Sequence, residues 1–186
     1  MLGWQLMALH SARVSGLNVP DATLELAGSY LDTVQSAGGA KYAYRRGTAP
    51  NAAMCAEGLL CRMYTGWGKE NPALEEGLDL LLKHNKPRED KQNIYYWYYG
   101  TQVAHHMGGE QWTEWNMRMR NLLVDSQING GRFAGAWRPQ PKQGDHCNGN
   151  DWIYTTSLAI CCLEVYYRHA PLFRQIDLEE ESLASP

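Results

Sequence analysis

Three absences narrow the classes of protein to which this 186-residue chain could belong. No apolar stretch approaches the roughly 20 residues that a membrane-spanning helix needs. The 17 basic and 20 acidic residues give a formal net charge of −3 and are scattered along the chain, so they form no basic block for phosphates to bind. The first residues also lack the basic start and apolar run of a signal peptide. We therefore expect no transmembrane segment in this chain and no nucleic acid as a partner.

Cysteine is infrequent and odd in number, with five residues. Four of them lie in strongly apolar helical patterns, which is typical of small buried thiols. A disulfide framework is therefore not expected, and the sequence does not identify a cellular compartment.

Phenylalanine is nearly absent, with 2 residues, whereas tyrosine (11) and tryptophan (7) are frequent. Tyrosine and tryptophan are amphipathic and line pockets and interfaces where one end of the side chain stays polar. This balance favours a cavity or a partner surface over a plain apolar core.

Helical periodicity and proline-marked helix starts predict about seven helices and no strand. Three of these helices follow a proline at their start. The predicted ranges are 4–14, 20–34, 50–64, 72–83, 94–107, 110–127 and 152–169. The fold class is therefore predicted to be all-α.

Two types of helix alternate along the chain. The second, fourth and sixth are amphipathic, with apolar residues such as Leu31, Leu78 and Trp115 at helical spacing. The third, fifth and seventh are apolar on almost all sides, which predicts burial on most sides. Alternating outer and inner helices are what stacked helical hairpins require, because each hairpin buries its inner helix against its neighbours.

The chain also repeats itself. The segment Tyr30 to Gln35, followed by Gly38-Gly39 and Tyr42, recurs as Leu122 to Gln127, followed by Gly130-Gly131 and Phe133. Gln35 and Gln127 lie 92 residues apart, which is two units of about 46 residues, a length known for helical-hairpin repeats.

These repeated turns resemble the QW repeat of squalene cyclases and the related repeat of protein prenyltransferase β subunits. The resemblance includes Gly3-Trp4-Gln5 and the inner-helix openings around Asn51, Asn93 and Asp151. It departs from the QW pattern at Tyr42, where tryptophan is expected, and at Trp137, which lies too far from Gln127. The resemblance implies an α/α toroid, and about seven helices would form only a partial one. We expect this domain to cover residues 1–174, followed by an acidic tail over residues 175–186.

The catalytic motifs of that family do not carry over. The Asp-x-Asp-Asp acid of the cyclases is absent. At the zinc-ligand positions of the prenyltransferases, Asp151 is present, but Ile153 replaces the cysteine and Tyr96 replaces the histidine. Asp151 remains the best candidate for a catalytic acid if the chain is an enzyme.

Two other clusters contain residue types that bind metals. In Asp145-His146-Cys147, adjacent side chains rarely converge on one ion, and the surrounding stretch is typical of a loop. His105 and His106 diverge by about 100° on a helix, and Gly108-Gly109 is expected to end that helix before Glu110. The sequence therefore predicts no metal and no cofactor.

One face of the fifth helix is the best pocket candidate. Tyr95, Tyr99, Gln102 and His106 follow at helical spacing, and in a toroid such a face could line the central cavity. Asp151 and Tyr154 at the opening of the seventh helix are further pocket candidates. The alternative is that the aromatic residues only pack the inner helix.

Three functional hypotheses follow. The first is a non-catalytic toroid-type domain that binds a hydrophobic, isoprenoid-like ligand or a protein partner through an aromatic concave surface. The second is a divergent isoprenoid cyclase or transferase, or a fragment of one. The third is a structural module that self-associates into a homo-oligomer through open hairpin edges, because the first helix is apolar and without an evident cap.

Overall fold

A computed structural model of the chain describes residues 2–139 and 151–168. Within these ranges the chain forms eight α-helices and one short hairpin of two strands. The helices are α1 (Leu2–Val14), α2 (Asp21–Val34), α3 (Ala52–Tyr64), α4 (Pro72–His84), α5 (Ile94–Met107), α6 (Gly109–Ser126), α7 (Trp152–Leu163) and α8 (Val165–Arg168). The strands are β1 (Gln35–Ser36) and β2 (Lys41–Tyr42), and 3₁₀ turns cover Ala37–Gly39 and Glu89–Lys91. This confirms the all-α class, while the toroid arrangement stays a prediction.

The boundaries of α1 to α6 agree closely with those predicted, but the three prolines do not all occupy the first helical position. Pro72 is the first residue of α4, as predicted. Pro20 instead occupies the N-cap of α2, and Pro50 precedes Asn51, which caps α3. The helices α2 and α3 thus begin one and two residues after their prolines. Proline fixes its own φ and has no N–H to donate, so it is tolerated at each of these positions near a helix start.

Asparagine caps two of the inner helices. The Asn51 side chain accepts a hydrogen bond from the Met54 N–H (3.0 Å), and the Asn93 side chain accepts one from the Tyr96 N–H (2.8 Å). Each bond satisfies one of the N–H groups that a helix start leaves without an intrahelical partner.

The chain divides into two compact units, Met1–Leu81 and Leu82–Pro186. In the first unit, α1 packs against α3, and α2 contacts both of them. In the second unit, α5 packs against α7, and α6 contacts both. The contacts among α1, α2 and α3 are thus of the same kind as those among α5, α6 and α7. The predicted tail over residues 175–186 lies outside the described residues.

Burial confirms the inner character of two of the three apolar helices. In α3, 10 of 13 residues are buried, and in α5, 13 of 14. The amphipathic helices have the predicted solvent-exposed side, and in α6 only Trp115, Met119 and Leu123 are buried.

The prediction for the seventh helix is wrong in two respects. The helix divides at Glu164 into α7 and α8. Only 4 of the 12 residues of α7 are buried, and Ile153 and Ile160 are 86% and 46% exposed. An apolar sequence allows a helix to be buried on all sides, but burial also requires a neighbouring element to pack against it. No described residue covers the face of α7 that carries Ile153 and Ile160.

The two repeated turns have related structures but different aromatic anchors. After α2, Gln35 pairs with Tyr42 in the β1–β2 hairpin, and Tyr42 is buried. After α6, the buried aromatic residue is Trp137, whose indole N–H donates to the Leu123 carbonyl (2.7 Å). Phe133, the aromatic residue that follows the glycine pair in this copy of the repeat, is exposed and stacks on Trp152. The turn after α6 is longer, so the aromatic residue that reaches the core comes later in the chain.

Among the described residues, no helix combines the length and the hydropathy needed to cross a bilayer.

Candidate functional site

The first unit contains a cavity of about 410 Å³. Four parts of the chain surround it: α1, α2, the stretch from β2 to Arg45, and α3. Its lining residues are Leu2, Gln5, Tyr30, Leu31, Val34, Tyr42, Ala43, Tyr44, Arg45, Met54, Glu57, Gly58 and Cys61. Its volume falls within the roughly 300–1,000 Å³ of small-molecule pockets, and its walls are largely apolar and aromatic, as in such pockets.

Tyr42 forms part of the cavity wall because α3 has a glycine beneath it. A Cβ atom at Gly58 would lie 2.2 Å from Cγ of Tyr42, so the aromatic ring rests directly on the backbone of α3. The Cys55 thiol, one turn earlier in α3, is within 3.3 Å of the Tyr42 N–H, which donates to it. These contacts hold the ring in one position against the inner helix.

Behind Tyr42, a buried arginine joins the turn to α3. Arg62 donates from Nε to the Tyr42 hydroxyl (3.0 Å) and from Nη2 to the Gln35 side chain (2.8 Å), and it forms an ion pair with Asp32. Its guanidinium also lies 4.6 Å from the centre of the Trp67 ring, within cation–π range. Burial alone would lower the pKa of Arg62, but its bonds to Tyr42 and Asp32 outweigh that effect and the pKa is raised. Gln35, the glutamine of the first repeat, thus holds the turn in place by accepting a hydrogen bond from Arg62, which is itself paired with Asp32.

Aromatic side chains form the mouth of the cavity. The Tyr30 hydroxyl donates to the backbone carbonyl of Tyr44 (3.2 Å), which ties α2 to the segment after β2. Tyr30, Tyr44 and Arg45 are all exposed. The entrance therefore presents two aromatic rings and one positive charge to solvent.

Glu57 and Cys61 are buried residues of α3 that line the cavity. Glu57 is only 6% exposed, and its Oε1 accepts a hydrogen bond from the Gly3 N–H in the first turn of α1 (2.8 Å). This bond joins the start of α1 to a side chain of α3 that lies 54 residues away in the sequence. Burial, reinforced by Glu57, raises the pKa of the Cys61 thiol. Because the thiolate is the reactive form, Cys61 is not suited to act as a nucleophile.

The second unit contains a smaller cavity of about 210 Å³. Buried Trp97, Trp137 and Thr155 lie among its lining residues, and exposed Glu89 and Arg138 lie at its rim. This volume is below the range typical of small-molecule pockets, so the cavity of the first unit is the stronger candidate.

The four residues of α5 that were predicted to line a pocket are buried in the structure. Tyr95 and Tyr99 are in edge contact, with ring centres 5.0 Å apart, and Gln102 Nε2 donates to the Tyr98 carbonyl (3.4 Å). Tyr95, Tyr99, Gln102 and His106 are all buried, and none of them lines either of the two cavities described above. Their role as pocket residues stays a prediction.

Packing accounts for the neighbouring face of α5. Gly100 allows the Trp115 ring to lie against the helix backbone, where an added Cβ would be 2.4 Å from the ring. The Trp115 indole N–H donates to the Thr101 hydroxyl (2.9 Å). Burial raises the pKa of Tyr98 on this helix to about 12, so its phenol stays neutral at physiological pH.

Asp151 and Tyr154 lie at the start of α7 and are half-buried. Asp151 occupies the N-cap position of α7, as Asn51 and Asn93 do in α3 and α5, but its side chain makes no capping bond to the helix. Neither residue lines the two cavities described. The Asp145-His146-Cys147 cluster lies outside the described residues.

The two consecutive histidines do not converge. The rings of His105 and His106 are 5.7 Å apart, and His105 contacts Trp112 edge-on. Gly108, with φ of 70°, separates α5 from α6, as predicted. Over residues 2–139 and 151–168, no group of three or more His, Cys, Asp or Glu side chains could hold a metal ion.

Sequence reasoning missed the cavity of the first unit, although one signal was present. Glu57 is the only acidic residue within α3, whose one other charged residue is Arg62, and an acid in such a helix needs a specific partner. Tyr30, Tyr44 and Arg45 gave no such signal, because they lie in ordinary exposed positions and are brought together only by the β1–β2 turn.

No known protein family, curated protein or solved structure matches this chain.

Proposed function

We propose that this chain is a non-catalytic helical-repeat domain that binds a hydrophobic, isoprenoid-like or alkyl ligand in the cavity of its first unit. The observation that carries this proposal is the cavity of about 410 Å³ between α1, α2 and α3, with apolar walls and an aromatic mouth. Burying an alkyl chain there removes apolar surface from water, which favours binding by roughly 25 cal/mol per Å². The partial toroid remains part of the proposal, and the contacts of α1 with α3 and of α5 with α7 are those expected of neighbouring inner helices.

Filling the cavity tests this proposal. Met54 lines the cavity, so Met54→Trp would occupy space that the ligand needs. Met117 on α6 is exposed and gives the matched control, Met117→Trp. We expect dodecanol and farnesol, measured by native mass spectrometry and calorimetry, to bind the wild-type chain and the control equally, and to bind Met54→Trp at least tenfold more weakly. Equal binding to both variants, or no binding of either alcohol to the wild type, would overturn the proposal.

A second candidate function is self-association, and the exposed face of α7 favours it. Ile153, Ile160 and Tyr167 recur at seven-residue spacing along α7 and α8, and each is exposed. The segment from Leu2 to Ala12 in α1 also contains no Lys, Arg, Asp or Glu, and Trp4 on it is exposed. Inner helices pack on inner helices within each unit, so the occupant we propose for the α7 face is α1 of a second copy. Such a head-to-tail contact is heterologous and can build rings or filaments.

A further inference from the structure

The mouth of the first-unit cavity carries a positive charge. Arg45 is the one basic residue among the lining residues of the cavity, and it is exposed. The hydrogen bonds of Arg45 involve its backbone: its N–H donates to the Thr48 hydroxyl (3.4 Å), and its carbonyl accepts from the same hydroxyl (2.8 Å). Over residues 2–139 and 151–168, no carboxylate forms an ion pair with its guanidinium. A ligand at the mouth can therefore reach this charge.

The segment around Arg45 has an excess of positive charge. Between Asp32 and Glu57 the sequence contains Lys41, Arg45 and Arg46 and no acidic residue. All three basic residues are exposed. Glu57, the acidic residue of the lining, is buried and bonded to the start of α1. The basic segment at the mouth therefore attracts anions.

An apolar interior and a cationic mouth match the two ends of a long-chain acid. An ionised carboxylate is costly to bury in apolar surroundings, whereas at an exposed mouth it keeps part of its water shell. The planar guanidinium of an arginine donates paired hydrogen bonds to the two oxygens of a carboxylate. The alkyl chain would then lie in the interior, where Leu31, Val34 and Met54 line the wall.

We propose that the ligand is a long-chain carboxylate whose head group pairs with Arg45 at the mouth of the cavity while its alkyl chain fills the interior. This inference rests on the proposed function, since it names the chemical class of ligand for the same cavity. A long-chain amine would be repelled by Arg45, and a long-chain alcohol would gain no hydrogen bond between opposite charges.

Three ligands that differ only in head group test it: dodecanoate, dodecanol and dodecylamine, titrated by calorimetry at one pH and salt concentration below their micelle-forming concentrations. We expect the wild-type chain to bind dodecanoate at least about threefold more tightly than dodecanol, because an exposed ion pair contributes modestly to affinity. Dodecylamine should bind most weakly of the three. Raising the salt concentration should narrow these differences, since salt screens an exposed pair.

Two adjacent arginines give a matched pair of variants. Arg45→Gln and Arg46→Gln remove the same charge from neighbouring exposed positions, but Arg45 lines the cavity and Arg46 does not. We expect dodecanoate and dodecanol to bind Arg45→Gln equally, whereas Arg46→Gln should keep the preference for dodecanoate. If both variants lose the preference to the same extent, general attraction by the basic segment causes it, and the inference is overturned.

The outcomes separate the inference from the proposed function. If dodecanol binds the wild type and Met54→Trp blocks it, but dodecanoate binds no more tightly than dodecanol, the inference fails and the hydrophobic cavity stands. If none of the three ligands binds the wild type, the proposed function and the inference fail together. Dodecanoate that binds Met54→Trp as tightly as the wild type lies outside the cavity, which also overturns the inference.

Discussion

At Gly58, the shape of the cavity wall depends on the absence of a side chain. A Cβ atom there would lie 2.2 Å from the Tyr42 ring, whereas a Cβ at Gly28 of α2 would meet open space. We expect Gly58→Ala to lower the free energy of unfolding by about 1–3 kcal/mol, because the ring must move out of a packed site. Gly28→Ala should raise it by up to about 1 kcal/mol, because alanine is the better helix former. Urea unfolding measures both, and equal effects of the two substitutions would contradict the placement of the Tyr42 ring.

For Arg62, the sequence predicts its position in a helix but not its partners. The helical pattern places it in α3, an apolar inner helix, where an arginine is costly without partners. Its partners Asp32, Gln35 and Tyr42 come from the preceding helix and turn, and Trp67 follows α3. The repeat in the sequence singled out Gln35, but the charge that this glutamine binds is visible only after the turn has folded back on α3.

At the scale of the element, the start of α3 depends on one side chain. Replacing Asn51 with alanine removes the acceptor for the Met54 N–H and should cost about 1 kcal/mol of unfolding free energy. Asn51→Asp keeps an acceptor at the same place and should stay within a few tenths of a kcal/mol of the wild type. Thermal and urea unfolding of both variants check this, and the prediction fails if the aspartate variant loses as much stability as the alanine variant.

Helix starts and ends were predictable because their causes are local. Asn51 and Asn93 bond to N–H groups three residues later, and Gly108 adopts a positive φ that favours glycine. The two-residue strands β1 and β2 were not predicted, because a pair so short has no alternating pattern to detect. The division of the seventh predicted helix at Glu164 likewise left no proline or glycine in the sequence to mark it.

For the whole molecule, the exposed α7 face predicts self-association. We expect the wild-type chain to shift from monomer toward larger species as its concentration rises in size-exclusion chromatography with light scattering. Ile160→Lys should shift it back toward monomer, because a charge would be buried in the contact. Leu26→Lys, at an exposed position of α2, is the control and should not change the distribution. A wild-type chain that remains monomeric at high concentration would rule out this second function.

By itself, the sequence determined the positions of α1 to α6, the 92-residue repeat and the inner character of α3 and α5. The helices and their buried faces depend on residues a few positions apart, whose spacing and backbone preferences act locally. Only the tertiary structure decided that α7 keeps an exposed apolar face, that Trp137 and not Phe133 is buried after α6, and that Glu57 reaches Gly3 across 54 residues. The cavity of the first unit belongs to this second group, because its walls come from three helices and a turn, and no local pattern encodes the space that remains between them.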